Sequence, residues 1–224
     1  MLENKTAVIF DLDGTMADSM TVWTEIDRIF FETRKIAVPD TLQKDIEGMS
    51  FTETAQYFVD TFSLPETVDE LKVIWNQQAM EQYRDQVKVK PGIPEFLKWL
   101  KEHHIAVGIA TSNSRELLDV FLQARQLDPY IDVAVTSCDV CAGKPAPDVY
   151  LKAAELLHVN PADCLVFEDI PMGILAGKNA GMTVCAVEDD YSIHMTEEKK
   201  KLADYYIRDY FDILEQLQNT ICPL

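Results

Sequence analysis

Ala7-Val8-Ile9-Phe10-Asp11-Leu12-Asp13-Gly14-Thr15 is the stretch of this 224-residue chain that decides its fold. The first four residues form a short apolar run that is typical of a strand buried on both faces, as in a parallel sheet. Two acidic residues follow at once, and Gly14 allows the chain to turn back over them. Because open parallel sheets bind ligands beyond the carboxyl ends of their strands, this stretch predicts both a strand and part of a functional site.

Four more short apolar runs follow the same pattern, and amphipathic stretches separate them. In these stretches apolar residues recur at i, i+3, i+4 and i+7, beginning at Ile93, Leu117 and Val149, which indicates helices with one buried face. Strands in alternation with helices predict an α/β fold, a Rossmann-like core of three layers around a parallel sheet. The four runs are Val107–Ala110, Val133–Thr136, Leu165–Phe167 and Val184–Val187.

One long segment, from about Met16 to Lys88, breaks this alternation, because it contains helical patterns and no convincing strand. We therefore predict a small all-helical cap domain over residues 16–89, inserted into a core domain of residues 1–15 and 90–224. The helical patterns span residues 22–33, 54–62 and 71–83.

Acidic residues outnumber basic residues by 38 to 20, which gives the chain a formal net charge of −18. Such a field repels nucleic acid and anionic membranes, so neither is an expected partner. It also repels phosphate esters, so any anion site has to be built locally. No apolar stretch approaches the ~20 residues of a membrane span, and the first residues lack a secretory pattern. We expect a cytoplasmic protein that is a monomer or a weak oligomer.

Two charged runs and a cysteine pair are interpreted without a function. The runs Glu188–Asp190 and Lys199–Lys201 are typical of solvated surface. Cys138 and Cys141 have the spacing of a redox or zinc motif, but they lack the helix start or the second pair that such sites need. Two reduced thiols in a strand-to-loop segment are the simpler interpretation.

Reactive side chains follow three of the predicted strands. Asp11 and Asp13 end the first, residues 111–113 (Thr-Ser-Asn) end the second, and Glu168-Asp169 ends a third. Lys144 follows the strand at Val133–Thr136 and adds a cation. Clustered carboxylates repel each other, and a hard dication such as Mg²⁺ relieves that repulsion. Thr111, the N–H groups after it and Lys144 would hold phosphoryl oxygens.

With these segments the chain resembles the haloacid dehalogenase-like hydrolase superfamily, in the β-phosphoglucomutase-like and phosphatase group that carries a helical cap after the first strand. The resemblance implies that Asp11 is a nucleophile that forms an aspartyl-phosphate, and that Asp13 is the general acid and base. It further implies a Mg²⁺ site and a phosphate site. The implied metal ligands are Asp11, the main-chain oxygen of Asp13, Asp169 and Glu168, and the implied phosphate-binding residues are Thr111, Ser112, Asn113 and Lys144. The matching segments are residues 10–15, 109–113, 143–148 and 167–169, followed by Gly173 and residues 180–182.

The resemblance leaves several activities open, and hydrolysis of a small phosphorylated metabolite is the favoured one. Relatives that cleave carbon–halogen or carbon–phosphorus bonds lack an aspartate at the position of Asp13. A sugar-phosphate mutase is the main alternative, but Trp23, Glu47 and Phe51 stand where the mutases have histidine, lysine and arginine. A non-catalytic phosphate-binding protein is disfavoured because all four motifs are intact. Ile170, where many relatives have serine, puts the surroundings of the metal site in doubt.

Residues of the predicted cap and of the loop after Asp13 are expected to choose the substrate. Met16, Met20, Trp23, Met49 and Phe51 are the candidates for lining that side of the site. The alternative is that this stripe of methionine and aromatic residues is the core of the cap. If several of them do face the site, the substrate has an apolar or planar part.

Overall fold

The structure of the protein, a computed structural model, describes residues 1–221, with side chains through Leu217; residues 222–224 of the predicted core domain lie outside the described residues. The strands are β1 (Ala7–Phe10), β2 (Ala17–Asp18), β3 (Lys88–Val89), β4 (Ala106–Thr111), β5 (Val133–Thr136), β6 (Cys164–Glu168), β7 (Thr183–Val187) and β8 (Tyr205–Ile207). The α-helices are α1 (Met20–Arg34), α2 (Leu42–Ile46), α3 (Phe51–Phe62), α4 (Val68–Asp85), α5 (Ile93–Glu102), α6 (Arg115–Arg125), α7 (Asp148–Leu157), α8 (Pro171–Asn179), α9 (Thr196–Leu202) and α10 (Phe211–Ile221).

Six of the strands form one sheet in the order β5-β4-β1-β6-β7-β8, and every neighbouring pair in it is parallel. Alternate residues of β1 point into different cores: Val8 and Phe10 belong to one apolar cluster, and Ala7 and Ile9 belong to the other. Helices α5, α6 and α10 contribute to the first cluster, and α7 and α8 contribute to the second. The predicted three-layer α/β fold is confirmed, with all five predicted strands in place.

Helices α1 to α4 lie between the first strand and the rest of the sheet, as the sequence predicts. Aromatic rings fill the space between α1, α3 and α4. Phe58, for example, has its ring centroid 5.1 Å from those of Phe30 and Trp75. Capping boxes at Ser50 and Thr67 start α3 and α4 by satisfying the free N–H groups of the first turns.

The expectation that residues 16–88 contain no strand is wrong in one detail. Ala17 and Asp18 pair antiparallel with Val89 and Lys88, so the two chain segments that enter and leave the helical region run side by side. Two-residue strands have no periodicity that a sequence pattern can reveal, and their pairing is decided by tertiary structure. The short helix α2 and the edge strand β8 were not predicted either.

The interpretation of the charged runs as solvated surface is also wrong for two residues. Asp189 is 4% exposed and forms an ion pair with Lys90, whose Nζ lies 2.6 Å from Asp189 Oδ2. Lys199 is fully buried, and its Nζ donates to Val187 O at 3.1 Å and to Ser192 Oγ at 2.9 Å. Both charges are tolerated because they are hydrogen-bonded, and they fix the loop after β7 against the sheet.

Cys138 and Cys141 are exposed free thiols in the segment after β5, which agrees with the simpler interpretation. Among residues 1–221, no helix combines the length and the apolar character that crossing a membrane requires.

Candidate active site

The reactive residues predicted from sequence converge on one cavity at the carboxyl edge of the sheet. Asp11 and Asp13 follow β1, Thr111 ends β4, and Asp169 follows β6, so the topology of the three adjacent strands brings them together. Lys144 reaches the same edge from the loop after β5. All five line a cavity of about 480 Å³, which the helical segment closes from the other side.

Lys144 is held between two carboxylates. Its Nζ lies 2.5 Å from Asp11 Oδ1 and 2.5 Å from Glu168 Oε1, and the lysine side chain is 3% exposed. Glu168 Oε1 also accepts a hydrogen bond of 2.6 Å from the Tyr150 hydroxyl. Burial disfavours the ammonium, but attraction by Asp11 and Glu168 outweighs it and raises the pKa of Lys144, so the lysine is a fixed cation beside Asp11.

Three buried acids, Asp11, Glu168 and Asp169, fit a divalent cation. One carboxylate oxygen from each lies within 4.8 Å of the others. Asp169 Oδ2 is buried without a hydrogen-bond partner among the described residues, while Oδ1 accepts from Thr15 Oγ1 at 3.1 Å. Burial, and then the neighbouring Glu168 and Asp11 charges, raise the pKa of Asp169 well above its usual range. A hard cation with oxygen ligands would remove that penalty and occupy the unpaired oxygen.

Two glycines allow the backbone to approach these acids. Gly14 has φ +82°, and a Cβ there would lie 2.3 Å from Asp169 Oδ2. Gly173, in the first turns of α8, leaves space for Glu168, whose Oε1 would lie 1.9 Å from an added Cβ. A larger residue at either position would displace an acid of the cluster, which explains why the residue after Asp13 must have no side chain.

Asp13 does not belong to the acid cluster through its carboxylate. Its side chain instead accepts three hydrogen bonds: from the Tyr83 hydroxyl, from Ser19 Oγ at 2.5 Å, and from Asn113 Nδ2 at 2.8 Å. Trp23 Nε1 donates to the Tyr83 hydroxyl at 2.9 Å, and burial raises the pKa of Tyr83 well above its usual range, so its hydroxyl stays a donor. Helices α1 and α4 thus fix the carboxylate of Asp13 through Trp23 and Tyr83.

The segment after β4 is only partly as predicted. Thr111 and Ser112 line the cavity, and Ser112 Oγ is buried with no hydrogen-bond partner among the described residues, as expected of a group that awaits a ligand. Asn113 lines the cavity as well, but its N–H donates to Thr111 Oγ1 at 3.0 Å and its side-chain amide donates to Asp13 and Tyr83. The Asn113 groups are therefore engaged within the protein instead of being free for phosphate.

The predicted cap residues divide into two groups. Met20, Trp23, Met49 and Phe51 line the cavity, so the stripe of methionine and aromatic residues does face the site. The prediction for Met16 is wrong, because this side chain is fully buried in the apolar core and is not part of the cavity wall. It belongs to the turn after Gly14, which packs inward against the sheet.

Other residues near the site were missed by the sequence analysis. Asp27 could have been found, because it continues the α1 face of Met20 and Trp23 at helical spacing. Tyr83 and Tyr150 could not, since each reaches its carboxylate from a distant helix. The missed cavity residues include Asp27, Gln43, Trp75, Tyr191 and His194, and the missed partners of the acids include Thr15, Ser19, Tyr83 and Tyr150.

Comparison with known proteins places these features in a family. A family model described as haloacid dehalogenase-like hydrolase matches residues 8–187. The chain is 31% identical over 177 residues to a phosphorylated carbohydrates phosphatase of Thermotoga maritima, with 79% of this chain and 82% of the relative covered. It is 28% identical over 222 residues to a Drosophila melanogaster protein named "Probable pseudouridine-5'-phosphatase", with 92% and 93% covered.

The solved structure of β-phosphoglucomutase from Clostridium difficile has the same fold. Its TM-score is 0.79 at 22% identity, with 97% of this chain and 98% of that chain covered. At this identity the likeness concerns the fold alone. The family model and the relatives confirm the predicted enzyme class, a hydrolase of the phosphatase type. The protein belongs to the haloacid dehalogenase-like hydrolase family.

Proposed function

We propose that the protein is a Mg²⁺-dependent phosphomonoesterase that hydrolyses a small phosphorylated metabolite through an aspartyl-phosphate on Asp11. The observation that carries the proposal is the convergence of Asp11, Thr111, Lys144 and Asp169 on one cavity, with Asp13 at its wall. A phosphoryl group in this cavity would meet an attacking carboxylate, a fixed ammonium and hydroxyl donors.

The reaction has two steps, and the same pair of aspartates serves both. In the first, an Asp11 oxygen forms a bond to phosphorus, the bond from phosphorus to the ester oxygen breaks, and Asp13 gives its proton to the leaving alkoxide. In the second, Asp13 takes a proton from water, whose oxygen attacks phosphorus and displaces Asp11. Inorganic phosphate and an alcohol leave, and both aspartates return to their starting states.

The buried acids and the lysine divide the remaining tasks. Asp11 and Asp169, with the main-chain oxygen of Asp13, would hold Mg²⁺, which supplies positive charge for the phosphoryl oxygens when it is bound. Glu168 already accepts hydrogen bonds from Lys144 and Tyr150 and does not line the cavity. We therefore assign Glu168 the task of positioning Lys144 beside Asp11, in place of the direct metal ligand that the resemblance implies.

Residues 16–89 act as the cap in this proposal. Their helices cover the cavity and place Tyr83, which Trp23 holds by a hydrogen bond, against Asp13, and the N–H group of Phe51 donates to Ser112 O at 2.9 Å. The cap therefore shields the cavity from water and orders the acid–base residue.

Hydrolysis is better supported than phosphoryl transfer to a second site on the substrate. A sugar-phosphate mutase has to hold two phosphates, but Trp23, Glu47 and Phe51 line the cap side of the cavity where that chemistry needs cations. Within the described cavity wall Lys144 is the sole lysine or arginine. Asp13, placed to protonate an alkoxide, argues against cleavage of carbon–halogen bonds, and the intact acid cluster argues against a non-catalytic role.

Release of inorganic phosphate from a panel of small phosphate esters tests the proposal. The wild type is expected to release phosphate with Mg²⁺, and Asp11→Asn is expected to lose turnover by at least about 10⁴-fold while its melting temperature stays within a few degrees. Asp45→Asn is a matched control, because Asp45 is an exposed cap residue that does not line the cavity. Turnover in Asp11→Asn near the wild-type rate would refute the nucleophile, and an isomerised ester in place of free phosphate would favour the mutase.

A further inference from the structure

The far half of the cavity runs along one face of α1. Met20, Trp23, Thr24 and Asp27 all line it, at the i, i+3, i+4, i+7 spacing of a single helical face. Ser19, which precedes this helix, contacts Asp13. At ~1.5 Å per residue, Asp27 stands about 12 Å along the helix axis from Ser19. The cavity therefore has a second, distant end that a leaving group can reach.

This distant end carries the carboxylate of Asp27 and no fixed cation. Glu47 lines the cavity wall as well, where its Oε1 accepts from the Met172 N–H at 3.4 Å, and Lys144, the one lysine or arginine of the described cavity wall, is at the catalytic end beside Asp11. Neither Asp27 nor Glu47 forms an ion pair within the part of the chain that the structure describes, although the imidazole of His194 also borders this end. A substrate with a second phosphate or a carboxylate at its far end would meet repulsion there.

Asp27 is held in place without being neutralised. Gln43 Nε2 donates to Asp27 Oδ2 at 3.4 Å, and the Gln43 carbonyl oxygen accepts a hydrogen bond from the Tyr191 hydroxyl. Burial raises the pKa of Asp27 to about 6 and also raises the pKa of Glu47. Both carboxylates therefore carry an ionisation penalty that a donor or cation on a ligand would relieve.

The wall between the two ends is aromatic, and it contains a donor without a partner. The ring centroid of Phe51 lies 6.0 Å from that of Trp23 and 5.8 Å from that of Trp75. Trp75 lines the cavity at 3% exposure, and its Nε1 has no hydrogen-bond partner among the described residues. These rings give the cavity a flat apolar wall on which a planar group can stack.

From these observations we propose that the substrate is a monophosphate ester whose leaving group has a flat apolar body and ends in an N–H-bearing group, cationic or neutral, with no second anion. Asp27 accepts a hydrogen bond from that group, the carboxylate of Glu47 adds negative charge to the same cavity, and the rings of Trp23, Phe51 and Trp75 pack on the body. The proposal rests on the proposed phosphatase function and specifies its substrate class.

Three esters that differ only at the far end test it: benzyl phosphate, 4-(aminomethyl)benzyl phosphate and 4-carboxybenzyl phosphate. We expect the aminomethyl ester ("the amine") to exceed the carboxy ester ("the carboxylate") in kcat/KM by at least about tenfold, with benzyl phosphate between them. The acidic side chains of the cavity attract the ammonium of the first and repel the carboxylate of the second. Asp27→Asn and Glu47→Gln should each reduce the amine-to-carboxylate ratio at least about threefold. The control Asp45→Asn should leave this ratio unchanged. A ratio of one or less in the wild type, or a ratio that neither cavity variant changes, would overturn the proposal.

A binding measurement separates this proposal from the phosphatase function. The three corresponding benzylphosphonates, which cannot release phosphate, are titrated by calorimetry into Asp11→Asn with Mg²⁺ present. Tighter binding of the amine than of the carboxylate supports the substrate class even if no ester is turned over, and the reverse order refutes it even if every ester is hydrolysed. If only the phosphatase function is wrong, no ester will release phosphate, but the amine will still bind more tightly than the carboxylate.

Discussion

Replacing the proposed acid–base residue should separate the two chemical steps. Asp13→Asn keeps the size of the side chain but removes its ionisable proton. In the wild type the carboxylate accepts from Tyr83, Ser19 and Asn113. Ser19 Oγ can rotate to accept from the new amide, and the amide carbonyl can accept from Asn113. Only the bond from the Tyr83 hydroxyl is lost, because this hydroxyl already accepts from Trp23 and Asn113. We therefore expect a stability loss of only about 1 kcal/mol, which for a chain of this size lowers Tm by about 2–4 °C.

The kinetic effect should depend on the leaving group. Benzyl phosphate releases a strongly basic alkoxide, so loss of the proton donor should slow the first step by about 10²–10⁴-fold, or roughly 3–5 kcal/mol of barrier. 4-Nitrophenolate leaves without a proton, so the first step with 4-nitrophenyl phosphate should slow by less than about tenfold in Asp13→Asn. The second step needs Asp13 as a base for either ester and should be slow for both.

Rapid-quench kinetics with Mg²⁺ measures this difference. In Asp13→Asn, 4-nitrophenyl phosphate should give a burst of one 4-nitrophenolate per enzyme, followed by slow turnover as the phosphorylated Asp11 persists. Benzyl phosphate should give no burst of benzyl alcohol. Equal slowing of the first step for both esters would contradict the assignment of Asp13 as general acid, and wild-type hydrolysis of the intermediate would contradict its assignment as base.

Three further predictions address the supports of the site. Tyr83→Phe should slow the hydrolysis of benzyl phosphate about tenfold more than that of 4-nitrophenyl phosphate, because it removes a donor that orients Asp13. The control Tyr210→Phe, at an equally buried tyrosine, should slow both esters alike. The same ratio of the two rates in both variants would count against this positioning role. Saturating Mg²⁺ should raise the Tm of the wild type by several degrees but should leave the Tm of Asp169→Asn unchanged. Chelation of Mg²⁺ should abolish phosphate release by the wild type. An equal rise in Tm in the variant would show that Asp169 is not a metal ligand. The pKa of Asp27 is about 6 in the folded protein, against an ordinary value of 3.8, so its ionisation opposes folding above pH 6 and this penalty fades as the pH falls toward 4. Asp27→Asn should accordingly be more stable than the wild type by about 1–3 kcal/mol at pH 8 and by less at pH 4.5, measured by urea unfolding, and a stability difference independent of pH would contradict the raised pKa.

The fold and the reactive cluster were largely predictable because their signals are local. Each strand of the sheet centre is a short apolar run, and Asp11, Thr111 and Asp169 each stand at the end of such a run, whereas Lys144 lies in the loop after β5. Asp11 is one residue beyond β1, and Asp169 is one residue beyond β6. Parallel neighbours bring such positions to one edge, so sequence order and strand identity were enough to group them.

The interpretation of the charged runs failed because exposure is a property of the packed chain. Asp189 and Lys199 stand in runs that look solvated, yet each is buried with a specific partner. Met16 failed for the same reason, since the direction of one side chain in a turn follows from the packing around it. A sequence pattern identifies which groups are charged or apolar, but not which neighbours will satisfy them.

The residue types and their order along the chain determined the sheet, the helical insertion and the set of groups that can carry phosphoryl chemistry. Tertiary structure alone decided that Tyr83 contacts Asp13 across 70 residues of sequence, and that Tyr191 contacts Gln43 across 148. It also decided that Asp27 faces the cavity instead of solvent. These contacts depend on how the helices of residues 20–85 pack over the sheet edge. That packing is set by the shapes of many buried side chains together, and no local pattern encodes it.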